Sequence, residues 1–353
     1  MLFRRRSIQT GDENSYERSE GLGGREYEGA IGRSRADSAM EMMESMREQK
    51  RLSPGDIEAP AAYLTAPSQS GKSHTVSIAY FEKYVVPQYR AENCLGSEFS
   101  DSELKRLQKK VLYVKIPAKP SLGAFAAALL EAMHDTKPWN GGPYERLNRA
   151  YTQMTALGVE LLILDNFDHL AKVHTRTLQE EATRLQDTIK EMIEKGWPVV
   201  FVGLPSANAT ILNQIQIAHR VEEIYFGPFR TPEEEFVEYV GCLDILMVEH
   251  GIFDKESDLA DPAIYRRLLI SSVGQLGILS NTVRQAAKLA SADRLPRITA
   301  DHLKIAVRTY PMRLKLCAYN PFDIDDEDLK PGLARHYEEI LAREAEEERL
   351  MYG

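Results

Sequence analysis

The stretch Tyr63-Leu64-Thr65-Ala66-Pro67-Ser68-Gln69-Ser70-Gly71-Lys72-Ser73-His74-Thr75 decides how the rest of the chain is read. It lies between a short apolar run beginning at Ala61 and an apolar helix start at Val76, Ile78 and Ala79. From Ala66 to Ser73 it follows A-x-x-x-x-G-K-S, the phosphate-loop pattern with alanine for the first glycine. Such a loop turns backbone N–H groups toward phosphates, and the helix that follows offers its positive end. The expected pocket therefore comprises Ala66, Pro67, Ser68, Gln69, Ser70, Gly71, Lys72, Ser73 and His74. Within it Lys72 neutralises the β/γ-phosphates, Ser73 binds Mg²⁺, and Gly71 lets the backbone approach. ATP with Mg²⁺ is the expected ligand. Alanine at 66 adds one methyl, which matters only if the position needs a positive φ.

Working outward, apolar runs at 111–117, 160–166, 198–204 and 222–229 alternate with helical patterns, clearest over 177–195. Near-continuous apolar strands separated by helices predict a parallel sheet covered on both faces. The expected fold is thus α/β, a P-loop-type NTPase domain over 56–229. A small all-helical lid domain over 230–312 should follow, announced by the capping sequence Thr231-Pro232-Glu233-Glu234. Residues 1–36 read as a disordered arm. Residues 37–55 read as a helix and linker, with Met40, Met43 and Met46 on one side. Residues 313–353 form an acidic tail with one late amphipathic helix (Tyr337, Ile340, Leu341), expected to serve as a partner-binding arm rather than as part of the fold.

Composition excludes several classes. The 353 residues are 43% hydrophobic and 27% charged, ordinary for a globular protein. No run approaches the roughly 18 apolar residues that a membrane span needs, and the basic start MLFRRR lacks the apolar stretch of a signal peptide. Three widely spaced cysteines (Cys94, Cys242, Cys317) make neither a disulfide framework nor a zinc site. A cytoplasmic location is expected. The net charge of -9 argues against a nucleic-acid partner until its distribution is seen. Residues 323–349 hold eleven acids against four bases, so -7 resides there and -2 in everything before it. A local basic face for DNA phosphates remains compatible with that body.

Five further sites carry candidate chemistry. Leu161-Leu-Ile-Leu-Asp-Asn-Phe-Asp168 reads as a strand delivering Asp165 to a Mg²⁺ site. The next position commonly holds a glutamate that polarises water; here it is Asn166, which orients water but accepts no proton, so hydrolysis should be weak unless Asp168 compensates. Pro198–Ser206 ends another buried strand, leaving Ser206 or Asn208 to sense the γ-phosphate. Arg220 closes a helical stretch where ring- or filament-forming ATPases place an arginine that reaches the neighbouring subunit's nucleotide; a helix-end arginine is the plain alternative. Arg284 in the second domain reaches toward the same phosphate or is simply solvated. Lys115 and Lys119 flank the exit of one strand and are candidate DNA contacts. His169 and His174 lack partners at metal-ligand spacing.

Together these residues resemble the TniB family of transposition ATPases, AAA+ proteins related to the TnsC and phage Mu B proteins. The resemblance rests on APSQSGKS, VLYVKIPAKPSLGAF, GVELLILDNFDHL, PVVFVGLPSANATILNQIQIAHRVEEIYFGPF and SSVGQLGILSNTVRQAAKLA, in that order, over about residues 40–310. It implies an ATP-bound oligomer, a ring or helical filament, on double-stranded target DNA. That assembly would recruit and stimulate a transposase, with a TniQ-like targeting adaptor as a further partner. Two other readings stay open at this point: a related AAA+ ATPase of a secretion or assembly apparatus, and an adaptor that binds ATP without hydrolysing it.

Overall fold

The computed structural model describes residues 34–53, 57–171, 175–205, 221–231 and 234–352. Helix α1 (Arg35–Leu52) leads into β1 (Ala61–Thr65) and then α2, helical over 72–92 with wide π turns at Thr75–Ala79 and Phe81–Val85. There follow α3 (Asp101–Leu107), β2 (Val111–Lys115), α4 (Leu122–Ala132), α5 (Pro143–Leu157) and β3 (Leu161–Asp165). Helix α6 (Arg176–Glu194), β4 (Val199–Gly203) and β5 (Val221–Tyr225) complete the α/β part. The five strands are parallel in the order β2-β3-β4-β1-β5.

The alternation of side chains along each strand divides the apolar residues between two cores. On one face Tyr63, Val114, Leu162, Leu164 and Phe201 pack against α4, α5 and α6 through Phe125, Leu129, Met154, Leu185 and Ile189. On the other, Ala62, Leu64, Leu161, Ile163, Val200 and Val202 meet α1 and α2 through Met40, Met43, Met46, Val76, Tyr80 and Phe81. The central strands β1, β3 and β4 are buried throughout, which is why they read as continuous apolar runs. β5 is an edge strand; its Glu222 and Glu223 are exposed and charge the free edge against further pairing.

α1 is also held by a buried polar network. Arg47, 2% exposed, donates to Glu160 at 2.8 Å and to Glu44 at 2.7 Å, and the Tyr80 hydroxyl donates to Glu44 at 3.1 Å. Burial opposes the guanidinium's charge, but Tyr80, Glu44 and Glu160 outweigh it and hold Arg47 above its ordinary pKa.

The helical domain comprises α7 (Glu234–Glu249), α8 (Pro262–Ser271), α9 (Leu276–Ala292) and α10 (Ala300–Val307) around Phe236, Val240, Leu268, Leu279, Val283 and Leu303. The TPEE cap that predicts its start includes Pro232 and Glu233, which lie outside the described residues. The connection from β5 is gripped at Phe229, whose N–H donates to Gly274 O at 2.8 Å. Arg35 of α1 lies 4.2 Å over the Phe229 ring and donates to Gly227 O at 2.7 Å.

The tail differs from the expectation of an arm. Asn320 is buried and donates to Lys304 O at 2.8 Å, and Arg308 bonds both Asp323 oxygens at 2.8 Å. Helix α11 (Asp326–Tyr352) buries Leu329, His336 and Ile340, and His336 Nε2 donates to Phe229 O at 3.1 Å. Basic side chains of the helical domain thus pair with the first acids of the tail, a tertiary match that composition does not reveal. Among the described residues, no helix is long and apolar enough to cross a membrane.

Removing one partner of a buried ion pair leaves the others uncompensated, at a cost of about 3–5 kcal/mol. Arg51 stays 2.5 Å from Glu44 and 3.4 Å from Glu160, so Arg47→Ala is expected to destabilise the protein by less than that full amount, read as a lower midpoint of urea unfolding, whereas Arg184→Ala on an exposed helix face should change it by under about 0.5 kcal/mol.

Candidate functional site

The register places Lys115 beside Asp165 and Thr65 beside Gly203, with β3 ending one residue short of β4, so β1, β2, β3 and β4 end within one residue of one level. In open parallel sheets the crevice outside these carboxyl ends receives ligands. The loop after β1 enters it directly. Ala66 N–H donates to Gly203 O at 3.3 Å, extending the β1–β4 ladder by one residue. Ala66 is fully buried and not among the residues with positive φ, so its methyl carries no conformational cost. The left-handed positions are Gln69 (φ 66) and Gly71 (φ 91). A Cβ on Gly71 would meet nothing within 4 Å, which leaves open space beside the loop.

Lys72 starts α2, and its Nζ bonds Ala66 O at 3.3 Å and Pro67 O at 3.2 Å. Ser73 Oγ donates to Asp165 Oδ2 at 3.0 Å, joining the loop to the end of β3. Among the described residues, Ser70 Oγ is buried without a hydrogen-bond partner. An orphaned hydroxyl, an open left-handed loop and a paired serine and carboxylate fit a phosphate group with a divalent ion. Among the described residues no cluster of three or more His, Cys, Asp or Glu side chains could hold a metal. Ser73 and Asp165 would therefore need phosphate oxygens and water to complete a Mg²⁺ shell, the usual arrangement for this ion. Pro67 is half-buried, and Ser68 and His74 are exposed at the rim.

Asn166 is in the left-handed region (φ 60, ψ 38), and its N–H donates to Asp165 Oδ1 at 2.8 Å. Asparagine adopts this conformation more readily than most residues, which gives the departure from glutamate a backbone reason. Asp168 is buried in the turn Phe167–Leu170. A Cβ on Gly203 would come within 3.4 Å of its N–H, so the two strand ends approach closely. Burial, then the charges of Glu223 and Asp168, push the Tyr63 phenol far above its ordinary pKa, and its hydroxyl donates to Leu204 O at 3.2 Å. His169 Nδ1 lies 2.9 Å from Ile116 O, a structural contact. Ser206, Asn208, Arg220 and His174 lie outside the described residues.

Lys115 and Lys119 are exposed on the β2 side of the same crevice. Arg284 is exposed on α9 and donates to Asn281 Oδ1 at 2.7 Å. Tyr113 was invisible to motif reading. Its hydroxyl donates to Asp165 Oδ2, and burial, aided by that hydrogen bond and charge, holds the phenol well above its ordinary pKa. It therefore stays a protonated donor across the neutral range. The strand register alone brings Tyr113 to this carboxylate. Also unanticipated is the contact from the helical domain: Gly277 N–H donates to Gln69 O at 2.8 Å, and Tyr310 OH donates to Gln69 Oε1 at 2.8 Å.

Sheet order, phosphate loop and attached helical domain define a P-loop protein of the AAA+ class. The chain belongs to the family described as Bacterial TniB protein, matched over residues 26–231. Among solved structures it is similar to the Aeropyrum pernix ORC1 protein in complex with DNA, at 16% identity and a TM-score of 0.50. That match covers 77% of this chain and 64% of the other, so the chain spans just under two thirds of its length. It is also similar to the A. pernix ORC2 protein in ADPNP–ADP complexes (12% identity, TM-score 0.54, covering 82% and 71%). Cdc6p from Pyrobaculum aerophilum gives 12% identity and a TM-score of 0.50, covering 80% and 68%. At these identities the likeness is one of fold. No curated protein matches the sequence.

A hydrogen bond to a charged group contributes about 1.5–3 kcal/mol, less where water reaches it. Tyr113→Phe is expected to lower the stability of the nucleotide-free protein by about 1.5 kcal/mol, measured by urea unfolding. An unchanged midpoint would mean that Ser73 and the Asn166 N–H alone satisfy Asp165.

Proposed function

We propose that this protein is an ATP-dependent DNA-binding regulator of DNA transposition. It binds and slowly hydrolyses ATP, assembles on double-stranded target DNA, and recruits and activates a transposase together with a TniQ-like targeting adaptor. Membership of the TniB family supports the biological role. The observation that carries the chemistry is the joining of Ser73 to Asp165 at 3.0 Å beside an open, left-handed phosphate loop with an orphaned Ser70 hydroxyl. That the similar ORC1 protein was solved with DNA and the ORC2 protein with ADPNP and ADP agrees with this reading.

Each residue has a stated part. Lys72 is held by two neutral carbonyls, from which an anionic phosphate draws it by forming stronger, charge-assisted bonds. The N–H groups at 69–73 and the Ser70 hydroxyl surround the phosphates. Ser73 and Asp165 hold Mg²⁺, which when bound neutralises charge on the phosphate oxygens. Asn166 orients a water but takes no proton, which keeps turnover slow; Asp168, buried next to it, is the candidate for the residual base. Arg220 of a neighbouring subunit, Ser206 and Arg284 complete the γ-phosphate environment, and Lys115 and Lys119 meet DNA phosphates. A nucleotide shared between subunits makes ATP a ligand of the oligomer, so assembly along DNA follows ATP, and many weak contacts sum along the filament.

Lys72→Ala is expected to abolish ATP binding by calorimetry and, with it, ATP-dependent retention of duplex DNA. The parent's retention should weaken steeply with salt, as counterion release requires. Unchanged nucleotide affinity in the variant sinks the site assignment, and ATP binding without DNA retention sinks the DNA role.

Asn166→Glu is expected to speed phosphate release, since general-base assistance is worth about 10²–10⁴-fold. The left-handed backbone should cost the variant about 1–2 kcal/mol of stability. A glutamate variant no faster than the parent would assign the base to another residue.

A further inference from the structure

Gln69 is the only non-glycine residue of the phosphate loop (66–73) in the left-handed region, with φ 66. Most side chains disfavour that conformation, and it persists where surrounding contacts over-determine it. Those contacts come from the helical domain, more than 200 residues along the chain. Gly277, in the first turn of α9, donates its N–H to Gln69 O at 2.8 Å. This N–H is one of the unpaired donors of a helix start, and Gln275 at the N-cap makes no side-chain capping bond. The loop carbonyl thus caps the helix. The fit requires glycine: a Cβ at 277 would lie 2.4 Å from Gln69 O and 3.0 Å from its Cβ. Tyr310 OH donates to Gln69 Oε1 at 2.8 Å, and Asn281 Nδ2 lies 3.5 Å from the same oxygen and 3.2 Å from Tyr310 OH.

We propose that Gln69 is the point at which the helical domain holds the phosphate loop in its anion-binding shape, with Gly277, Asn281 and Tyr310 as positioning residues for nucleotide. The inference rests on the nucleotide reading of the loop and adds to it how the second domain controls affinity. Successive N–H groups converge on an anion only while the left-handed turns are kept. Without the clasp, Gln69 relaxes toward negative φ and the N–H groups of Ser70 and Gly71 turn away. Because Phe229 fixes the domain junction through Gly274, Arg35 and His336, any partner that shifts the helical domain alters Gln69 as well.

The test compares Mg²⁺·ATP affinity in the full-length parent, Tyr310→Phe, Gln69→Ala and Gln69→Gly. Tyr310→Phe and Gln69→Ala should bind about 5- to 30-fold more weakly, the factor that corresponds to one or two kcal/mol, with unfolding midpoints near the parent's. Gln69→Gly loses the same side chain yet adopts positive φ without support, so it should recover most of the affinity. Equal affinity in the parent, Tyr310→Phe and Gln69→Ala, or a Gln69→Gly variant as weak as Gln69→Ala, overturns the proposal. Hydrogen exchange of the loop amides at 67–73, without nucleotide, should be faster in Tyr310→Phe; unchanged exchange overturns the clasp even if ATP binds. A parent that shows the faster exchange on substitution but binds no ATP would instead overturn the nucleotide reading and, with it, this role for the clasp.

Discussion

Four parallel strands ending within one residue of a common level are the constraint on which the rest of this structure depends. Pairing of Thr65 with Gly203 and of Lys115 with Asp165 brings residues from four separate stretches to a single edge. A slip of one residue in any strand would exchange its two faces, since side chains alternate. It would take Asp165 from Ser73 and turn each apolar side chain into the core on the other face of the sheet, which is packed for different side chains. The two cores and the site are therefore held by the same register. The apolar residues on both faces fix it far more firmly than the polar contacts at the edge could.

The terminal segments act on the junction between the domains. α1 covers one face of the sheet through its methionines and is locked by Arg47, while its first residue, Arg35, reaches Gly227 and Phe229. α11 comes from the opposite end of the chain and bonds the Phe229 carbonyl through His336. Phe229 is thus held by both ends of the described chain and by Gly274. A short connection so constrained fixes the angle of the helical domain, and that angle decides whether Gly277 and Tyr310 meet Gln69. Segments that look peripheral in sequence consequently bear on the phosphate loop.

The phosphate loop, the Asp165 strand, the buried strands and the helical character of the second part were legible because each depends on local chemistry: a glycine-lysine-serine turn, a carboxylate after an apolar run, periodicity of 2 or 3.6. Ala66 shows the same logic, since its backbone needs no positive φ and its methyl is neutral. Asn166 was legible as an asparagine where a water-polarising glutamate is common but not as a left-handed residue, because φ is set by the turn that the fold imposes there. The acidic tail was misjudged as an arm because charge density says nothing about whether Lys304, Arg308 and Arg267 stand opposite it.

The sequence by itself determined the α/β class and singled out the loop after β1 and the serine and distant carboxylate that the fold brings together. Residue type and short-range spacing suffice for those. Tertiary structure alone decided the strand order β2-β3-β4-β1-β5, the approach of Tyr113 to Asp165 and the hold of Gly277, Asn281 and Tyr310 on Gln69. Each of these joins residues far apart in the chain, and no local pattern records which distant carbonyl or hydroxyl a donor will meet. That is settled only when the two cores fix the strand register and the Phe229 junction fixes the second domain against the first.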